Sequence, residues 1–207
     1  MKKEIKHQNI TAWPELGVNF WGINKNATST IISHFSVLTK DIEEQNYDFE
    51  LGQRAKLIAK ANNRYIDSSV AFNNGLKNFS IVRNPHSRFL SCFKQFKYPQ
   101  NEIHERSSKK AAFNKDWSAD DFLENIERKF VFRNKPGNKH YWKQSWFLPL
   151  PKTIDYIIKL EKLNNEWPFE FDAPSFISNK SNFKQIIKYN KDLLENIYYE
   201  DFENFGY

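Results

Sequence analysis

The chain has 207 residues, 40% of them hydrophobic and 16% aromatic, which is enough apolar surface for one compact domain and too much for a disordered chain. With 31 Lys plus Arg against 25 Asp plus Glu, the formal charge is +6, a modest basic balance that suits an anionic partner without calling for nucleic acid. The lone cysteine, Cys92, excludes an internal disulfide framework, and no stretch approaches the roughly 20 apolar residues of a membrane span.

Residues 1–16 read as an arm leading in, with a turn at Trp13-Pro14. The first eight residues hold no apolar run, so no signal peptide is expected and the cytoplasm is the expected location. Residues 17–23 are apolar and aromatic, as in a buried strand. After a polar turn at 24–27, positions 31, 32, 35 and 38 recur with helical spacing and predict a helix over 28–40, with Thr28 or Ser29 at or near its N-cap. The turn therefore sits at a helix N-terminus, where free N–H groups and the helix dipole favour an anion. Lys25 adds a point charge there, and Thr28, Ser29 and Thr30 add hydroxyls. The segment lacks G-x-x-x-x-G-K-[ST], so a standard Walker A is not supported, and an ordinary strand-turn-helix with a polar cap is an equal reading of these residues alone. Asn26-Ala27-Thr28 fits the glycosylation pattern, but a glycan there blocks the turn, so the match is read as chance.

Residues 41–63 are charged, with a helical stretch near 52–62. A strand and turn follow at 78–87, with Phe79–Val82 as the strand, Asn84-Pro85 as the turn, and a helix to about 97 on the spacing of Phe89, Leu90, Phe93 and Phe96. Arg83 lies at the strand's C-terminal end, where open α/β sheets bind ligands. Arg88 and Ser91 follow, a guanidinium and a hydroxyl suited to a phosphate. The bland readings are a solvated charge for any one arginine and a structural salt bridge for Arg88. Cys92 reads as a small buried hydrophobe. Residues 98–116 are polar, with Arg106, Lys109, Lys110 and Lys115, and read as a long loop or lid or as plain solvated surface. A capped amphipathic helix is expected over 116–130, a basic turn at 133–139, a strand at 153–160 and a closing helical region over 182–204. No internal repeat is present.

Taken together, these segments resemble the sulfotransferases that use 3′-phosphoadenosine 5′-phosphosulfate (PAPS), in particular the carbohydrate (family 2) branch. Lys25-Asn26-Ala27-Thr28-Ser29-Thr30 resembles that family's 5′-phosphosulfate loop. Val82-Arg83-Asn84-Pro85-His86-Ser87-Arg88-Phe89-Leu90-Ser91 matches every fixed position of its 3′-phosphate segment. Weaker matches follow in the family's order: His140-Tyr141-Trp142-Lys143-Gln144, Tyr156 to Leu163, Asn179-Lys180-Ser181 and the ending from Tyr199 to Tyr207. The chain is short for the family, and 41–78 matches nothing in it.

The resemblance implies an α/β fold, a P-loop-NTPase-like three-layer sandwich with a central, mostly parallel sheet flanked by helices, as one domain over 1–207. It implies sulfuryl transfer from PAPS to an acceptor hydroxyl, most plausibly on a carbohydrate, leaving 3′,5′-adenosine bisphosphate, with no metal, no nucleic acid and no membrane span. Lys25 through Thr30 would hold the 5′-phosphosulfate, with Lys25 catalytic, and Arg83, Arg88 and Ser91 the 3′-phosphate. The base is open among His7, His34, His86, His104 and His140, with Glu161 or a carboxylate within 41–78 as further choices; His140 is preferred because the resemblance puts its segment beside the acceptor cleft. Two other readings stand beside this one: a P-loop nucleotide kinase or phosphotransferase needing ATP and Mg²⁺, and a non-catalytic basic module binding nucleic acid or acidic glycan through Lys109, Lys110 and Lys139.

Overall fold

A computed structural model describes residues 9–43, 49–99, 102–110, 112–131, 139–149, 153–175 and 186–207. The described residues of Met1–Arg83 and Gln144–Lys180 form one compact unit, and those of Asn84–Lys143 and Ser181–Tyr207 form another.

The first unit is a mixed α/β structure built on a five-stranded sheet flanked by helices. Its strands are β1 (Ile10–Trp13), β2 (Val18–Trp21), β3 (Tyr65–Ile66), β4 (Lys77–Val82) and β5 (Tyr156–Lys159), in the order β3-β1-β2-β4-β5. β2, β4 and β5 run parallel, whereas β1 is antiparallel to both of its neighbours. The sheet is therefore parallel only on one side, short of the mostly parallel arrangement expected.

Residues 10–13, expected in a leading arm, are instead an internal strand, buried at all four positions. The Trp13-Pro14 turn is real: a 3-10 turn over Pro14–Leu16 ends at Gly17 (φ 70°), and the chain reverses into β2. A four-residue strand without clean alternation leaves too short a pattern to read from sequence.

Alternation along the strands sorts the two sheet faces. Trp13, Val18, Phe20, Phe79, Ile81 and Ile158 turn to one face, where they pack against α1 (Thr28–Leu38) and α2 (Phe49–Ala61). α1 supplies Ile31, Ile32 and Phe35 to this core, and α2 supplies Leu51, Ala55 and Ala59. Trp167, Phe169 and Phe171 add to the same cluster, with Phe169 meeting Phe79 at 5.0 Å between ring centroids. The other face carries Asn19, Trp21, Asn78 and Ser80. Asn19 Nδ2 donates to the Ala71 carbonyl at 3.0 Å and Trp21 Nε1 to Asn78 Oδ1 at 2.9 Å, which ties α3 (Ser68–Asn73) to the strands. These bonds explain how polar side chains are tolerated in the sheet's interior.

The second unit is helical among the described residues: α4 (Pro85–Lys97), α5 (Glu102–Lys110), α6 (Ala119–Val131), α7 (Lys191–Ile197) and α8 (Tyr199–Phe205), with a 3-10 turn at Lys139–Tyr141. Phe89, Cys92, Phe93 and Phe96 form one apolar stripe of α4 and join Phe113, Phe122, Leu123 and Ile126 in its core. Cys92 is thus the small buried hydrophobe expected. α6 starts with a capping exchange: Ser118 N donates to Asp121 Oδ2 at 2.8 Å, and Asp121 N donates to Ser118 Oγ at 3.1 Å.

Two expectations change in this unit. Part of the 98–116 loop or lid is a helix, α5, whose charges form the i,i+4 pairs Glu102–Arg106 and Glu105–Lys109 rather than a solvated loop. Among the described residues the closing helical region runs from Lys191: 186–190 are not helical, Asn190 Oδ1 caps α7 by accepting the Leu193 N–H at 3.0 Å, and the region breaks at Tyr198 into two short helices, while 182–185 lie outside the described residues. The basic turn at 133–138 and the segment Asn179-Lys180-Ser181 lie outside the described residues.

Candidate active site

In the first unit the site is the junction of β2 with α1 and the end of β4. Past Trp21 the chain passes through Gly22, whose N–H donates to the Asn9 carbonyl at 2.9 Å. A Cβ on Gly22 would lie 2.8 Å from Thr28 Cγ2 and 3.1 Å from the Asn9 carbonyl oxygen, so the turn can close only on a glycine. Gly22→Ala is expected to cost about 1–3 kcal/mol, the usual penalty for forcing a group into packed space. The drop would appear as a lower denaturant midpoint at an unchanged slope.

The turn then alternates: Lys25 (φ 71°) and Ala27 (φ 59°) are left-handed, while Asn26 between them is not. Neither is glycine, and each carries about 1 kcal/mol or more of backbone strain. Alternation of this kind curls successive N–H groups into a concave nest suited to an anion. Ala27, not Thr28 or Ser29, is the N-cap of α1 and offers no side-chain cap. Two other helices differ: Asn84 Oδ1 accepts the His86 N–H at 3.0 Å at the start of α4, and Asn190 caps α7. The first-turn N–H groups of α1 have no partner in their own helix and face the nest end, where the helix dipole adds positive potential.

Among the hydroxyls, Thr28 Oγ1 donates to the Ile23 carbonyl at 2.6 Å and braces the turn, and Thr30 is buried. Ser29 is half-buried in the first turn. Gly52 of α2 packs against it; an added Cβ would come within 3.2 Å of Ser29 Cβ.

Asn26 is 0% exposed, so it cannot carry a glycan. Its Nδ2 donates to the Ile81 carbonyl at 2.9 Å and to Gln144 Oε1. Gln144, also 0% exposed, completes a brace with Arg83. Its Oε1 accepts the Arg83 N–H at 2.8 Å, and its Nε2 donates to the Arg83 carbonyl at 2.8 Å. The side-chain amide thus pairs with Arg83 as a neighbouring strand would, holding the chain where β4 ends. The Arg83 side chain reaches across to the loop, with Nη1 donating to the Lys25 carbonyl at 3.2 Å.

The structure therefore joins Asn26 to Arg83 through Gln144, and Lys25 to Arg83 directly. The available signal for Gln144 was a lone glutamine after an aromatic stretch. Nothing in its spacing tells a buried brace from a surface amide.

The remaining predicted residues belong to the second unit. Arg88 on α4 is 3% exposed and turned inward, with Nη1 donating to the Trp142 carbonyl at 2.6 Å. Ser91 is half-buried one turn further along α4. His140 stands in the 3-10 turn with its ring edge-on to Phe96 at 5.9 Å.

Of the other histidines, His86 lies between Tyr189 (Nδ1 to the hydroxyl oxygen, 3.1 Å) and Glu195 (Nε2 to Oε1, 3.1 Å), His104 is on α5, and His7 is outside the described residues. In the first unit, Glu161 is exposed in a 3-10 turn after β5, and His34 is buried on α1, its Nε2–H donating to the Asp172 carbonyl at 2.7 Å. Burial lowers the His34 pKa below its ordinary value of 6.5, against a smaller raising effect of that bond. The folded chain then binds this proton less readily than the unfolded chain. Its contribution to stability is full above about pH 6.5 and is lost as the pH falls below that value. Melting curves from about pH 7.5 to about pH 5.5 should show the midpoint falling. His34→Gln, which keeps an N–H for Asp172, should flatten the slope; an unchanged slope would contradict this assignment.

Among the described residues, no group of three or more His, Cys, Asp or Glu side chains is placed to hold a metal ion, and no helix is long and apolar enough to cross a membrane. A family model described as "Sulfotransferase family" matches residues 8–176, well over half of the chain. No curated protein matches it, and no solved structure does.

Proposed function

The chain belongs to the sulfotransferase family, and on that premise we propose that it moves the sulfuryl group of PAPS to a hydroxyl of a carbohydrate. The observation that carries the reading is the strained, uncapped turn at Lys25–Ala27, a nest and a helix N-terminus beside a lysine and braced to Arg83. Strain of this kind persists where function uses the geometry. The same premise extends to the fold, a P-loop-NTPase-like three-layer sandwich acting as one sulfotransferase-like domain.

PAPS supplies an activated sulfuryl group. The acceptor oxygen forms a bond to sulfur as the bond from sulfur to the 5′-phosphate oxygen breaks, and 3′,5′-adenosine bisphosphate leaves with the electron pair. Lys25 neutralises the charge that builds on the leaving oxygen, and the N–H groups and hydroxyls of residues 26–30 hold the 5′ end. Arg83 and Ser91 take the 3′-phosphate, which separates this nucleotide from ATP. Because α4's own N-terminus is capped by Asn84, its 3′-phosphate contacts rest on side chains rather than on backbone N–H groups. His140 takes the acceptor's proton. Lysine, arginine and backbone dipoles supply the positive field, so the step uses no metal.

The test is incubation of the full chain with sulfur-labelled PAPS and a panel of sugar, lipid, phenol and small-alcohol acceptors. Label on a sugar supports the whole reading. Label only on another hydroxyl class overturns the acceptor alone, and label on none overturns the activity.

A further inference from the structure

The turn that carries His140 is held at four successive residues from within its own unit. The His140 ring packs on Phe96, whose side chain is fully buried. The Tyr141 carbonyl accepts the Tyr198 hydroxyl at 2.6 Å. The Trp142 carbonyl accepts Arg88 Nη1 at 2.6 Å. Lys143 Nζ pairs with Glu200 Oε1 at 3.0 Å. A single 3-10 turn has few internal bonds, here a long one of 3.4 Å from Trp142 N to the Lys139 carbonyl, so its shape is set by what grips it.

Both carbonyl-gripping donors are buried. An inward guanidinium is costly unless its N–H groups are used, so Arg88's place in the interior argues for an internal task. Burial also raises the Tyr198 phenol far above its usual pKa, which keeps it a donor over the whole working pH range.

We propose that Arg88, Tyr198 and Glu200 are positioning residues that fix the turn bearing His140, with Arg88 serving the reaction through that turn. The inference rests on reading His140 as the base. A base works only when its nitrogen is held within hydrogen-bond reach of the proton it takes, and a loosely held turn cannot do that. Tyr198 is the N-cap of α8 and Glu200 lies in its first turn, so this grip comes from the closing helices.

The experiment follows the His140 ring resonances of the full chain through a pH titration in wild type, Tyr198→Phe, Arg88→Met and Arg88→Lys, with 3′,5′-adenosine bisphosphate affinity measured on each. Tyr198→Phe removes one oxygen and keeps the ring, so it is the variant least prone to unfold. It should shift the His140 titration, raise amide exchange at 140–142 at least about tenfold and leave bisphosphate affinity within about twofold of wild type. Arg88→Lys should restore part of the His140 signature lost in Arg88→Met. His140 signals unmoved in both Tyr198→Phe and Arg88→Met would overturn the proposal. So would a loss of more than about tenfold in bisphosphate affinity for Arg88→Met with the His140 signals unmoved, since Arg88 would then be a phosphate ligand. Wild-type transfer by His140→Gln would overturn the base assignment, and the ring signals tell that failure apart from failure of the grip.

Discussion

Replacing Gln144 with leucine is expected to cost the fold about 3 kcal/mol and to weaken binding of 3′,5′-adenosine bisphosphate by at least about tenfold. The substitution keeps the volume and removes both functions of the amide. It leaves the part-buried Arg83 N–H and carbonyl without that partner and takes one acceptor from the buried Asn26 Nδ2. Each buried polar group so stranded costs about 1–3 kcal/mol. For a chain of this size the melting midpoint should fall by roughly 6–12 °C. The binding loss has a separate cause: without the brace, the end of β4 and the turn at Lys25–Ala27 are no longer held in register. Calorimetry on the folded variant well below its midpoint separates the two effects. A lower midpoint with wild-type affinity would show that the brace is structural only.

The second large effect is a split between Lys25→Ala and Arg83→Ala. On the proposed function Arg83→Ala removes a charge-assisted contact to the 3′-phosphate, worth about 1.5–3 kcal/mol, and should weaken the bisphosphate roughly 10–150-fold. Lys25→Ala should weaken it less and slow labelled transfer about 10²–10³-fold, because in the proposed reaction its charge acts mainly on the leaving oxygen as the bond breaks. Both are read on the best acceptor found in the panel. Equal losses of affinity and rate in the two variants would contradict the division of roles.

The parts of the molecule that the sequence announced are those with a long period or a fixed motif. The stripe of α4, the strands β2, β4 and β5 and the helix after Lys25 all fall where periodicity put them. β1, β3 and α3 do not show in the sequence: they are as short as the other strands but have no longer apolar run or fixed motif beside them to mark them. α5 was hidden by its polarity: its order comes from i,i+4 charge pairs and from the buried Ser108, whose hydroxyl donates to the Phe96 carbonyl at 3.2 Å. For the site, the residue types of the turn were readable, but the left-handed backbone at Lys25 and Ala27 was not, since neither residue favours it. Gln144 and the grip on His140 depend on partners tens of residues away, 61 for Gln144 with Arg83 and 57 for Tyr198 with Tyr141, and no local spacing encodes them.

The proposed function requires this chain to hold a doubly phosphorylated adenosine without a metal. The most direct measurement is a calorimetric titration of the full chain with 3′,5′-adenosine bisphosphate in the presence of a chelator, beside Mg·ATP and AMP. Saturable binding of the bisphosphate, tighter than either control and weakened in Arg83→Ala, is the expected result. A preference for Mg·ATP, or no binding of the bisphosphate, would contradict it.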